Sequence, residues 1–324
     1  MNNSNPYCYM KKWLITIFVF LLAILSAIYF FIPDYISINP NVSVVAQQKG
    51  LNRLLMNEND WVKWWPEKTA NVTNEPQKRY AYNSHTYSIT DKMLTSFIVF
   101  ITGKGRETKT SLNILPALQD TVTVEWVAVI PTSYNPVKRV QAYLYSRRLH
   151  DDMDVILGKM RSFFSDQKNI YGLNIQQVAV VDSALISTYA ISQGYPSTVY
   201  IYSLINRLKK YIVTQSATET GCPMLNINTN DSVHFLTRVA IPVNKRLRDS
   251  GNITYKWMLG GGDILVAVVK GGPAAIQKAF AQMENYVNDY SLTAPAIPFQ
   301  SLVTDRLKVP DSTKWITKIY YPIM

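Results

Sequence analysis

The chain has 324 residues, 48% of them hydrophobic and 12% aromatic, which suits two or three packed domains and is too apolar for a disordered chain. Its formal net charge is +11, but the basic residues fall in scattered pairs (Lys11–Lys12, Arg147–Arg148, Lys209–Lys210, Lys245–Arg246), a pattern of a solvated surface or of attraction to an anionic membrane rather than of a nucleic-acid partner. Two cysteines, Cys8 and Cys222, and three histidines, His85, His150 and His234, exclude a disulfide framework and a zinc pattern, and neither a metal nor a cofactor is expected.

Trp13 to Ile32 is a run of twenty uncharged residues. As a helix it would extend about 30 Å, the thickness of a bilayer's hydrocarbon core. Lys11 and Lys12 precede the run, Asp34 follows it, and the next basic residue is Lys49. The positive-inside rule predicts a cytoplasmic tail over 1–12, a transmembrane helix over 13–32 and all later residues outside, on an inner (cytoplasmic) membrane. A cleaved signal peptide is the rival, but the run is longer than a usual signal core and no small-x-small site follows. Cys8 precedes the run, so no lipoprotein box exists, and a membrane between Cys8 and Cys222 would keep them apart. Asn-x-Ser/Thr triplets at Asn41, Asn71, Asn230 and Asn252 matter only in a host that glycosylates.

A first outer domain is expected over 37–168. Val42 to Met56 has apolar residues near helical spacing. Trp61, Trp64 and Trp65 then crowd one turn before Pro66. Strand-like runs follow, "YAYNSHTYSI", "LTSFIVFIT", "TKTSLNILPAL" and "TVTVEWVAVI", the last alternating with period two. Val137 to Phe164 reads as a long helix, with Val140, Leu144, Leu149, Met153, Ile156, Leu157, Met160 and Phe163 at intervals of three or four. Asp151, Asp152 and Asp154 on it are expected to be a solvated face. The "DWVKWWP" stretch and the "NPVKR" at Asn135 to Arg139 resemble the START/polyketide-cyclase-like (SRPBCC) superfamily. That resemblance implies a helix-grip domain, an antiparallel sheet around a long C-terminal helix, binding a lipid or another hydrophobic molecule. The tryptophans would then rim a pocket, or else pin the first helix to the sheet.

The second outer domain, 173–324, contains a repeat. Two stretches each run strand, Gly-x-Pro, helix, x-Pro, strand, strand, Pro. Pro196 matches Pro273, Pro223 matches Pro298 and Pro242 matches Pro322, at offsets of 77, 75 and 80. Gly194 and Gly271 should stop a strand, and Pro196 and Pro273 should open a helix. Val199, Tyr202, Ile205, Leu208 and Ile212 form one expected apolar stripe, and Ile276, Phe280, Met283 and Val287 the other. Two such units would leave a groove where they meet.

With "WMLGGGD" at Trp257 to Asp263, "GGP" at Gly271 to Pro273 and "KWITKIYYPI" at Lys314 to Ile323, this layout resembles the GyrI-like effector-binding domain of bacterial transcription activators. The resemblance implies an α+β fold of two βαββ units with a ligand cleft between them. It also implies a strand carrying Glu-x-Tyr toward the cleft, the acid meeting cationic, lipophilic ligands. Here that position reads Gln300-Ser301-Leu302. An amide is neither a general base at neutral pH nor a counter-charge. No catalytic residue is therefore assigned, and Gln300, Leu302, Trp257 and Tyr320 are the expected ligand contacts. Arg238 and Lys318, equivalent by the repeat, would favour an acidic ligand if they bordered the cleft and would otherwise reach to water. The expected function is noncovalent binding of a hydrophobic, neutral small molecule by a membrane-anchored protein. Hydrolysis or cyclisation of a lipophilic substrate, and a ligand-free envelope interaction module, are the alternatives.

Overall fold

A computed structural model describes residues 6–67, 78–103, 105–117, 120–181, 183–229, 231–258 and 260–324. Asn71, Asn230 and Leu259, each part of an expectation above, lie outside them. The fold is mixed α+β with antiparallel sheets, and the chain divides into two compact units, Met1–Ser165 and Asp166–Met324.

The first unit opens with helix α1, Pro6–Phe31. Its Trp13–Phe31 portion is long and apolar enough to cross a membrane and is not buried among the described residues. Strands β1 (Tyr35–Ile38) and β2 (Asn41–Val45) follow, then helix α2 (Gln48–Met56). The helix expected from Val42 thus starts six residues late. Val42 and Val44 alternate with exposed neighbours, and β-branched residues on that period favour a strand paired with β7 (Thr121–Pro131). Strands β3 (Arg79–Tyr82), β4 (His85–Lys92), β5 (Ser96–Gly103) and β6 (Arg106–Pro116) complete a sheet ordered β1-β7-β6-β5-β4-β3, with β2 also on β7. "YAYNSHTYSI" is therefore a hairpin. Asn83 turns it with φ of 50°, a left-handed conformation that asparagine tolerates.

Helix α3, Pro136–Phe164, packs on β1, β2 and β7. The "NPVKR" stretch has a local explanation. The Asn135 side chain accepts from the amides of Val137 and Lys138 at 3.0 and 3.2 Å, and Pro136 occupies the first turn, where its missing N–H costs nothing. Arg139 is buried, donates from Nε (2.8 Å) and Nη2 (2.5 Å) to the Ile32 carbonyl, pairs with Asp34 at 2.8 Å and covers the Tyr29 ring. A cation thus closes the C-terminal end of α1. Leu144 is exposed and Phe164 replaces Phe163 in the core.

Trp61, Trp64 and Trp65 are all buried. They pack on one another and on Tyr80, Tyr87, Phe97 and Phe164. Trp61 Nε1 donates to Leu55 O at 2.8 Å and Trp65 Nε1 to Ala81 O at 2.7 Å. These bonds pin α2 and β3 to the sheet, so the tryptophans act as packing and not as a rim.

The second unit begins with helix α4 (Gln167–Tyr171) and strand β8 (Ile175–Ala179). Strand β9 (Ser183–Gln193), helix α5 (Thr198–Thr214), β10 (Met224–Thr229) and β11 (His234–Val243) come next. Edge strand β12 (Thr254–Met258) precedes β13 (Asp263–Lys270), helix α6 (Pro273–Asp289), β14 (Phe299–Leu302) and β15 (Ile316–Ile323). The eight strands order as β12-β9-β11-β10-β14-β15-β13-β8. Read outward from the β10–β14 contact, one side runs β11, β9, β12 and the other β15, β13, β8.

Gly194 and Gly271 do end β9 and β13, with φ of 75° and 135°. Pro273 opens α6, but Pro196 lies outside α5, whose N-cap is Ser197, accepting from Tyr200 N at 3.2 Å. The α5 stripe is Ile201, Tyr202, Leu204, Ile205, Leu208 and Ile212. Tyr202, Ile205, Leu208 and Ile212 are buried as expected, whereas Val199, in the first turn, is exposed.

Trp61→Ala should cost the first unit about 3–5 kcal/mol, since it empties the centre of the ring cluster. Chemical denaturation followed by tryptophan fluorescence checks it; a loss near zero would mean that the cluster does not hold α2.

Candidate functional site

The site lies wholly in the second unit. Strands β10 and β14 register at two positions, Met224↔Ser301 and Leu225↔Gln300. Pro298, with no N–H to give a ladder, stands just before the first residue of β14. Asn226 Nδ2 donates to the Pro298 carbonyl at 2.9 Å. Beside this short seam a cavity of about 690 Å³ opens. Its walls are Leu225, Ile227 and Gln300 from the seam strands, with Ile276 and Phe280 from α6. Tyr195 and Phe235, in edge-to-face contact at 5.6 Å, stand on another side.

The start of α6 also borders this cavity, through Pro273 and Ala274. No side chain caps that end, and no acidic residue occupies its first turn. A helix N-terminus carries partial positive charge.

Gln300 is only 6% exposed. Its Oε1 accepts from Arg306 Nη2 at 3.0 Å. The same Nη2 donates to Thr317 Oγ1 at 3.0 Å, and the guanidinium lies 4.7 Å from the centre of the Trp315 ring. An arginine has donors and no acceptor, so the amide must present its oxygen to it. The Gln300 Nε2 hydrogens then have no acceptor among the described residues, on a side chain that lines the cavity.

Arg306 is 8% exposed. Its chain neighbour Asp305 pairs with Lys308 at 3.9 Å. No carboxylate pairs with Arg306 among the described residues; the groups that act on its charge are the phenols of Tyr202 and Tyr195. Burial pushes its pKa below the ordinary value, the phenols opposing. At the cavity wall burial pushes the Tyr195 pKa up, and Arg306 pulls it back. Nothing local in "TDRLKVP" marks Arg306 as buried, and only its contacts with Gln300, Thr317 and Trp315 reveal it.

The structure does not bring the four expected ligand contacts together. Gln300 lines the cavity. Leu302, on the same strand face, packs into the core under α5. Tyr320 pairs with Phe299 and so faces the opposite side of the sheet, where the two rings stack at 5.0 Å. There it lines a second cavity of about 320 Å³ with Ser301, Met224 and Cys222. Trp257 is 52% exposed on edge strand β12 and borders neither cavity. Arg238 and Lys318 also lie on the face opposite Gln300, Arg238 Nη1 donating to Asn226 Oδ1 at 3.2 Å.

In the first unit Asp152 is buried, not solvated, because α3 turns it inward with Met153 while Asp151 and Asp154 stay exposed. His85 Nδ1 donates to Asp152 Oδ2 at 2.8 Å, and Asn83 Nδ2 donates to Asp152 Oδ1 at 2.6 Å. The carboxylate fixes the ring's tautomer and ties the β3–β4 turn to α3. His85, Arg106, Tyr145 and Arg148 border a cavity of about 260 Å³.

No family model and no curated protein matches the chain. Among solved structures, the EcmrR C-terminal domain is similar over 47% of this chain and 98% of its own, at 16% identity and a TM-score of 0.41. SAV2435 bound to tetraphenylphosphonium is similar over 47% of this chain and 92% of its own, at 16% identity and a TM-score of 0.33. A hydrolase from Listeria innocua is similar over 47% and 92%, at 10% identity and a TM-score of 0.35. At these scores the likenesses assign neither a fold nor a ligand.

Proposed function

We propose that the chain is a membrane-anchored protein whose second unit binds a hydrophobic small molecule noncovalently, to sense, sequester or carry it. The observation that carries this reading is the cavity at the β10–β14 seam. About 690 Å³ falls within the range of small-molecule sites, roughly 300–1,000 Å³. Its walls are mainly apolar, with a single buried amide, as such sites require.

The strand order supports a duplicated βαββ fold of the GyrI-like effector-binding type. The β9-α5-β10-β11 and β13-α6-β14-β15 sets order alike about the seam. A helix-grip reading of the first unit rests on the order strand, helix, antiparallel strands, long helix, with β1 and β2 closing on β7. Its aromatic interior assigns it a packing role here, and binding is placed in the second unit. Anchoring rests on the uncovered apolar helix and on the basic pair ahead of it, with the N-terminus in the cytoplasm and both units outside.

Ala274 borders the cavity and is exposed, so Ala274→Trp fills the mouth without disturbing the core. Full-length protein in lipid nanodiscs, titrated with the neutral dye Nile red and corrected with empty discs, should bind about tenfold more weakly in this variant, the loss of roughly one good apolar contact surface. Equal binding by both proteins would place the dye elsewhere and defeat the cavity reading.

Topology is testable with the two native thiols. Cys222 is exposed. In spheroplasts a membrane-impermeant maleimide should label Cys222 and spare Cys8 until the membrane is lysed. Labelling of Cys8 alone would reverse the orientation.

A further inference from the structure

The cavity combines three features that act in one direction. Gln300 offers Nε2 hydrogens with no acceptor among the described residues, because Arg306 holds its oxygen. Arg306 carries a buried positive charge directly behind that amide, satisfied by two neutral oxygens and a ring face. The uncapped N-terminus of α6 opens on the same space. A donor, a cation and a helix N-terminus all favour negative charge in the cavity they border, and a dry wall strengthens the effect. A cationic ligand there would meet like charge from Arg306 and would leave Nε2 without an acceptor. The apolar lining residues Ile276, Phe280 and Phe235 suit an apolar body.

We propose that the cavity takes an anionic amphiphile, its oxygen-bearing head on Gln300 Nε2 and the first turn of α6 and its apolar body against Ile276 and Phe280. This rests on the cavity-binding reading above and replaces the neutral ligand expected there. Gln300 is thus a specificity residue. Its amide form turns the charge of Arg306 toward the ligand, whereas a glutamate would neutralise Arg306 and present acceptors instead.

Three probes share one ring system and differ in charge: 2-naphthoate, 2-naphthylmethanol and 2-naphthylmethylammonium. Full-length protein in nanodiscs of zwitterionic lipid is titrated calorimetrically with each, and empty discs are subtracted. Wild type should bind the naphthoate at least about tenfold more tightly than the ammonium, the scale of one hydrogen bond to a charged group, with the alcohol between. Gln300→Glu should lose about tenfold for the naphthoate and keep the alcohol, which shows that its cavity is still folded. Indifference to charge in wild type, or preference for the ammonium, overturns the head-group assignment while binding to the cavity stands. Failure of all three probes to bind overturns the cavity reading as well. The wild-type ranking decides the matter even if the variant does not fold.

Discussion

The bond from the Arg306 guanidinium to the Gln300 amide oxygen sets the character of the second unit. It places a full charge in a dry region without a carboxylate beside it, which is costly unless several acceptors share the guanidinium's donors. Here Gln300 and Thr317 both accept from Nη2, and the Trp315 face lies against the cation. The three come from β14, the start of β15 and the residue just before β15, so the arginine also knits the segment after β14 to the sheet. Its consequence for chemistry is directional. An amide could otherwise face the cavity with either end, and here it faces with its nitrogen.

The space in front of that nitrogen follows from a short seam. Only two residue pairs register between β10 and β14, and Pro298 stands just before the strand's first residue. Strand alternation then divides the chemistry of the sheet. Gln300 and Leu302 face the helices, and Phe299, Ser301 and Tyr320 face away. The two faces carry separate cavities, and the basic pair Arg238 and Lys318 belongs with the second face. Positive charge near the first cavity comes from Arg306 alone among these three cations.

Much of this was legible in the residues, and the exceptions have physical causes. The apolar run, the alternating strands β5 to β7 and the Asn-Pro start of α3 are local signals, since periodicity and capping depend on near neighbours. Gln300 stood out because an amide interrupts an apolar strand. What escaped depends on distant partners. The Val42–Val45 strand needs β7 beside it. Asp152 is drawn inward by His85 and Asn83, 67 and 69 residues away. Tyr320 lies on the face opposite Gln300 because its parity is set by the register with Phe299, which spacing alone does not fix. Arg306 looks like an ordinary surface residue until Thr317 and Trp315 fold over it.

The most direct test is a structure of the full-length protein with 6-bromo-2-naphthoate, in which the bromine's anomalous signal fixes the direction of the ring. The account predicts the carboxylate at hydrogen-bond distance from Gln300 Nε2 and the bromine among Ile276 and Phe280. A reversed ring with its carboxylate in solvent, or a molecule seated on the Tyr320 face, would contradict it.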